Sequence, residues 1–425
     1  MVRDEDIESL DSPFVRRLIY QAATVPIALF DKSVTDAPAI NWSELEAAPA
    51  KYRFCVIHVS GYVRAATPIR PDAALRTEVP IYYQCIVEDE LGKRCSLIST
   101  RIPKRWLDSD TLNEKIQCRA FFVGALTKAL GTETPECLFI TPDLLWRPDQ
   151  RSAFEVSPAH RLLAQNGFNL SLFDETRRLD RKRMSKSDDA AFHALLRTSQ
   201  SLSDCYTEWS NSDNDLPVNP VGLIDLIRSP TESIGTRVRL TGRVTRVTDV
   251  FEGDDAETLT PSWFQVQLSV PLGKRQISIK SPENEELLFK HQFPVTLIVP
   301  KSDSVIKQLE KKSIDVDGFM YRFWNYESKF SESGGMTGGQ YSPLIFVTHF
   351  EELKPDTADN WFLPAILLGA VSILFVAGIW LARDSARIRT KRQQAHMPDS
   401  IDLDLPFPTE TPEIDHKSIG PPLDS

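Results

Sequence analysis

Val59-Ser60-Gly61-Tyr62-Val63 is echoed by Leu240-Thr241-Gly242-Arg243-Val244. At the same offset Tyr82-Tyr83-Gln84 returns as Trp263-Phe264-Gln265, and Leu91-Gly92-Lys93-Arg94 returns as Leu272-Gly273-Lys274-Arg275. No gap is needed over roughly forty residues, and about eleven positions are identical. Further on, Ala120-Phe121-Phe122 matches Gly318-Phe319-Met320, and Leu138-Phe139-Ile140-Thr141 matches Ile345-Phe346-Val347-Thr348. Arg147-Pro148-Asp149 then matches Lys354-Pro355-Asp356. Self-similarity kept in order along the chain marks a repeated unit.

Each copy reads as strands. In the first, a strand runs through Phe54 to Val63, with Gly61 marking a bulge or bend. Further strands follow at Ile81 to Val87, Arg94 to Thr100, Ile116 to Leu126 and Cys137 to Thr141, with a hairpin turn at Glu90 to Lys93. Four to six short strands with Gly/Pro turns predict a small barrel or sandwich. The strand count and the long link before the fourth strand fit a five-stranded barrel of the oligonucleotide/oligosaccharide-binding (OB) type. Arg237 to Val244 looks like the first strand of such a barrel. An immunoglobulin-like sandwich is the alternative and needs about seven strands.

Between the copies the pattern becomes helical. His160 to Asn166 reads as a helix stopped by Gly167. Asp188-Asp189 caps a second helix that carries Phe192, Leu195 and Leu196 at helical spacing. Between them lie Arg177, Arg178, Arg181, Lys182, Arg183 and Lys186, with Asp174, Glu175 and Asp180 interspersed. Such a run binds phosphate or anionic lipid, or is simply a solvated face; interspersed acids favour the solvated face.

Residues 361–382, from Trp361 to Ala382, read WFLPAILLGAVSILFVAGIWLA without a charge. About 20 apolar residues cross a bilayer core as a helix. Arg383, Arg387, Arg389, Lys391 and Arg392 follow, while Glu351, Glu352, Asp356 and Asp359 precede it. Basic flanks stay in the cytoplasm, so the expected topology is a single pass with the C-terminus inside and the N-terminal domains extracytoplasmic. An export signal is poorly matched. Arg16 and Arg17 precede an apolar run interrupted by Gln21, Thr24 and Pro26, which reads better as an amphipathic helix packed on the first domain. The stretch 398–425 is acidic and proline-rich, and reads as a disordered tail.

The expected fold class is thus mainly β with a helical spacer (α+β). It comprises a partly helical segment (1–50), a first barrel (51–150), the spacer (151–216), a second barrel (217–356), the transmembrane helix (361–382) and a tail (383–425). The layout resembles bacterial single-pass membrane proteins that carry duplicated OB-like β-domains around a helical spacer. That resemblance lies in layout and turn motifs and implies no activity.

The net charge is -10, and its distribution leaves the folded part mildly acidic. Nucleic acid is therefore not expected as a partner. Six cysteines form no CxxC pair, so zinc and redox motifs are not expected; Cys85 and Cys95 flank the hairpin turn and are the candidate disulfide. No HExxH, GxSxG, phosphate loop or dinucleotide fingerprint occurs, and no catalytic, metal or cofactor residues are assigned. The glycine-rich stretch 333–339 joins two strands and reads as a loop. Alternation places Phe319, Tyr321 and Phe323 on one sheet face, as candidate ligand-facing aromatics or as core.

The first functional reading is a membrane-anchored, non-enzymatic binding or scaffold protein of the cell envelope, with a bilayer and an envelope protein or glycan as partners. The second is a nucleic-acid-binding barrel pair at the cytoplasmic membrane face. The third is an enzyme whose site lies between the modules.

Overall fold

The chain forms two barrels with one strand order. The structure is a computed structural model that describes residues 12–25, 37–39, 41–71, 79–126, 136–210, 218–250, 262–280, 286–301, 304–326, 340–354 and 362–394. Trp361, the stretch 333–339 and the tail beyond Gln394 lie outside the described residues.

Among the described residues, three helices precede the first barrel: α1 (Pro13–Thr24), α2 (Trp42–Ala47) and α3 (Pro49–Tyr52). The barrel itself contains β1 (Val56–Ile69), β2 (Tyr82–Glu88), β3 (Arg94–Ser99), β4 (Glu114–Leu126), β5 (Glu136–Thr141) and β6 (Leu145–Trp146). The order is β1-β2-β3-β5-β4, with β1 pairing back onto β4 and β6 added beside β4. β3 and β5 run parallel and all other pairs are antiparallel.

The spacer supplies α4 (Pro158–Gln165), α5 (Leu172–Arg178), α6 (Asp189–Asp204), α7 (Tyr206–Ser210) and α8 (Leu223–Arg228). The second barrel follows, with β7 (Arg237–Val250), β8 (Trp263–Pro271), a ribbon of β9 (Ile277–Lys280) and β10 (Glu286–Phe289), then β11 (Gln292–Pro300), β12 (Ser313–Tyr326) and β13 (Gln340–Glu352). β7, β8, β11, β13 and β12 close a barrel in which β11 and β13 are the parallel pair. Both sheets therefore have the OB strand order, and the sandwich alternative is set aside.

The two barrels agree in detail. β1 and β7 begin and end at the same offset, and each carries a bulge at the same place, at Val63/Ala65 and at Val244/Arg246. Gly61 and Gly242 permit the close crossing that follows: a methyl group there would lie 2.6 Å from the Glu88 carbonyl oxygen and 2.8 Å from the Ser269 carbonyl oxygen. Two parts of the sequence match shift. After the turn at Gly273 the ribbon β9–β10 intervenes, so β11 and not the residues following Arg275 pairs with β8. In the last strand Leu97 pairs with Phe139 and its counterpart Leu297 pairs with Ile345. Phe139 is thus equivalent to Ile345, one residue from the match read in the sequence. A one-residue slip exchanges the two faces of a strand.

Alternation builds the interiors. Val59, Cys85, Leu97, Cys118 and Phe139 fill the first barrel, and Leu240, Val266, Leu297, Val316 and Ile345 fill the second. A helix covers the outer face of each. On the first barrel, Val15, Ile19 and Ala22 of α1 pack over Tyr82, Ile98, Val123, Leu138 and Ile140. Ser12 caps α1 by accepting from the Val15 N–H at 3.2 Å, and Pro13 occupies the tolerant first turn. On the second barrel, α6 brings Phe192 against Trp263 (ring centroids 5.1 Å apart) and Phe346 (4.9 Å).

Residues 1–354 form one compact unit, and residues 355–425 form another. In the second, α9 (Phe362–Gln394) contains the window Ile366–Arg383 with a mean hydropathy of 2.1. By length and composition that helix can cross a membrane.

Candidate nucleic-acid interface

The aromatic run on β12 does not share one face. A bulge between Met320 and Arg322 leaves Tyr321 out of the ladder and reverses the alternation beyond it. Phe319 and Tyr321 consequently point outward under the spacer helices, while Phe323 points into the barrel. All three are buried. Phe319 packs on Trp209 of α7, with centroids 5.9 Å apart, and Tyr321 packs on Phe192 at 6.2 Å. They are core residues and present nothing to a ligand. The expected disulfide is corrected as well. Cys85 lies opposite Leu97 and Cys95 opposite Val87, and both are buried thiols inside the barrel. Burial pushes the Cys85 thiol up to about 12, so it stays protonated.

The bulge places Arg322 at the head of a buried network. Its Nε donates to Asp188 Oδ1 at 2.8 Å, and both side chains are fully buried. Nη1 donates to the carbonyls of Leu179 and Lys182 at 2.9 and 2.8 Å. Tyr321 donates its hydroxyl to Asp188 Oδ1 at 3.0 Å, and Asp188 Oδ2 accepts from the Ser185 N–H at 2.9 Å. This arrangement satisfies a buried ion pair with further hydrogen bonds, as burial of charge requires. It also pins the backbone of the basic run to the second barrel. The run divides accordingly: Arg177 pairs with Asp174 and Arg178 with Glu175, while Lys182 and Lys186 stand exposed beside the pinned turn.

Next to that turn the outer face of the second barrel opens into a cleft of about 360 Å³. Its walls are Trp263 and Gln265 of β8, Trp324 of β12, and Phe192 and His193 of α6, with Met184 at one end. Trp324 is half-buried and stacks on Tyr326, with centroids 5.0 Å apart and an interplanar angle of 20°. Its indole N–H donates to Thr296 Oγ1 at 3.2 Å, which fixes the ring plane. Met184, Ser185 and Asp189 also line the cleft, and the exposed Lys182, Arg183 and Lys186 flank the first two in sequence. An aromatic slot can hold a flat ring by stacking, and cations on the adjoining turn can hold a phosphate by charge, against the opposing carboxylate of Asp189.

Two of the walls were visible in the sequence, though not as a pair. Trp324 belongs to the aromatic run, and Trp263 is the counterpart of Tyr82 in the repeat. What joins them is the closure of the barrel, to which no local pattern points. Among the described residues no group of three or more His, Cys, Asp and Glu side chains is placed to hold a metal.

No protein-family model matches the chain, and no curated protein matches it. Among solved structures, the PriB protein of Ralstonia solanacearum is similar at 7% identity, covering 28% of this chain and 97% of that one, with a TM-score of 0.16. The Plasmodium falciparum SSB in complex with ssDNA aligns at 12% identity over 28% of this chain and 94% of that one, with a TM-score of 0.17. A deletion mutant of the single-stranded DNA-binding protein of Thermus aquaticus aligns at 8% identity over 71% of this chain and 94% of that one, with a TM-score of 0.17. These likenesses concern the fold, whose case rests on the strand order given above. One expectation is corrected: both barrels carry the OB strand order, so the mild acidity of the folded part does not set nucleic acid aside as a partner. The physical reason is that a charge averaged over the whole chain does not describe the surroundings of one cleft.

Proposed function

We propose that this chain is a non-enzymatic binder of single-stranded nucleic acid, held at a bilayer by α9 with the barrel unit on its cytoplasmic face. The observation that carries this reading is the cleft on the second barrel, walled by Trp324 and Trp263 and lined by Met184 and Ser185 of the turn on which Lys182, Arg183 and Lys186 stand exposed. Single strands are held by stacked bases and a tracked backbone, without strong sequence preference.

Fluorescence anisotropy of a labelled oligothymidylate, titrated with the full chain in detergent, tests it. Binding should weaken steeply with salt, and Lys182→Gln with Lys186→Gln should reduce the salt slope by about 1.4, at roughly 0.7 per phosphate contact. Trp324→Ala should cost about 1–3 kcal/mol of affinity. Absence of binding at low salt rejects the proposal.

A second reading, an extracytoplasmic binder of an envelope protein or glycan, is favoured by the basic residues that follow the apolar helix. Reporters active on one side only, fused after Pro355 and after Gln394, separate the two. An outside signal at Pro355 supports this second reading and removes the first.

A further inference from the structure

A second cleft, of about 430 Å³, lies on the first barrel where β1, β4 and the residues after β6 meet α6. Its polar wall carries three guanidinium groups, those of Arg119, Arg147 and Arg197, together with the imidazole of His58. Asp143 supplies the carboxylate on that wall and accepts from Asn169 Nδ2.

The cations are organised by one amide. Gln117 Nε2 lies 2.8 Å from His58 Nε2, and Gln117 Oε1 accepts from Arg147 Nε at 3.3 Å. The amide nitrogen is the donor, so His58 accepts at Nε2 and carries its proton on Nδ1. Burial first, then the charges of Arg119 and Arg147, hold the His58 imidazole below its ordinary range. Arg147 Nη1 is buried and meets no hydrogen-bond acceptor among the described residues. A buried guanidinium nitrogen without an acceptor is costly, and a negative charge in the adjoining cleft offsets that cost electrostatically. With three guanidinium groups, one carboxylate and a neutral imidazole, the wall has an excess of two positive charges. Arginine forks match the oxygen spacing of phosphate.

We propose that this cleft binds a tetrahedral phosphate dianion, gripped by Arg147 with Arg119 and Arg197 as flanking cations. The group is either free inorganic phosphate or the phosphate of a monoester. The site belongs to the other barrel and shares no residue with the aromatic cleft, so it goes beyond the single-strand reading.

The test is isothermal titration of the full chain in detergent, in low-salt buffer, with inorganic phosphate and separately with adenosine 5′-monophosphate. Saturable binding at one site per chain is expected for at least one of them. Tighter binding of inorganic phosphate assigns the free ion, and tighter binding of the monophosphate assigns a monoester; either upholds the site. Arg147→Lys keeps the charge but loses the fork, and should weaken binding at least tenfold. Arg197→Gln removes a cation from a half-buried helix position and should weaken it several-fold without disturbing the barrel. Trp324→Ala should leave it unchanged, so failure here is distinguishable from failure of the single-strand reading. Saturation should also raise the His58 pKa measured by NMR, because the dianion offsets the neighbouring guanidinium charges. No saturable heat with either ligand, or unaltered affinity in both arginine variants, overturns the proposal.

Discussion

The two barrels share a strand order, a bulge position and a helix-covered outer face, yet that face is closed in one and partly open in the other. On the first barrel Phe14 and Leu18 of α1 join Val15, Ile19 and Ala22, and the cluster extends over Ile69 at the end of β1. Gln84 is sealed beneath it, donating to Ser96 Oγ at 2.6 Å. On the second barrel the corresponding residues are Val250 and Gln265, and both line the aromatic cleft. α6 covers Tyr321 and Phe346 but stops short of Trp324. Closing the same face with an apolar helix gives a core, while covering it part-way leaves an open cleft. The means also differ: α1 is held by apolar contact, whereas α6 is anchored beside a buried ion pair.

The largest expected effect comes from breaking that ion pair. Arg322→Ala leaves Asp188 buried without its partner and should destabilise the barrel unit by about 3–5 kcal/mol, read by denaturant unfolding. Replacing both partners, with Arg322→Met and Asp188→Leu, should cost less than either single alanine substitution, because no uncompensated charge remains.

A pH dependence is expected from another spacer helix, α4. His160 of α4 sits against the entry to the second barrel, its Nε2 2.9 Å from the Ile234 carbonyl oxygen and its Nδ1 2.8 Å from Ser157 Oγ. Burial holds its pKa down to about 4 from the ordinary 6.5. Between these values the unfolded chain binds a proton that the folded chain does not. Stability is therefore complete above pH 6.5 and falls as the pH drops toward 4, by roughly 3 kcal/mol in all. His160→Gln should flatten that part of the stability profile.

Smaller effects are expected at α1. Ile19→Ala removes a buried branched side chain and should cost about 2–4 kcal/mol locally, detected as faster amide exchange over β2 and β5 with β8 and β13 unaffected. Ser12→Ala removes only the helix cap and should cost about 1 kcal/mol, read in the same amides. Equal acceleration in both barrels would show that the two covers are not independent.

Much of this contrast was legible in the sequence. The Gly61/Gly242 offset placed the first two strands of each barrel, and the amphipathic reading of Leu18 to Phe30 meets α1 as far as Thr24, residues 26–30 lying outside the described residues. Three features were not legible, for physical reasons. The ribbon β9–β10 begins directly after a matching turn, so a gapless alignment passes through it. Leu138-Phe139-Ile140 and Leu344-Ile345-Phe346 are apolar on both faces, because one face meets the barrel interior and the other a helix. Composition therefore cannot fix their register. The bulge at Tyr321 reverses alternation without a glycine or proline to signal it, which is why Phe319, Tyr321 and Phe323 read as one face. The site depended on that face, and so Trp324, at the end of the same run, was passed over.

The most direct measurement is photo-crosslinking of the full chain to a single strand carrying 5-iododeoxyuridine, followed by mass spectrometry of the adducts. The account predicts adducts at Trp324, with Trp263 or His193 as neighbours, and their loss in Trp324→Ala. Adducts confined to the basic stretch after the apolar helix, at Arg383 to Arg392, would mean that charge alone recruits the strand, and would contradict the assignment of the cleft.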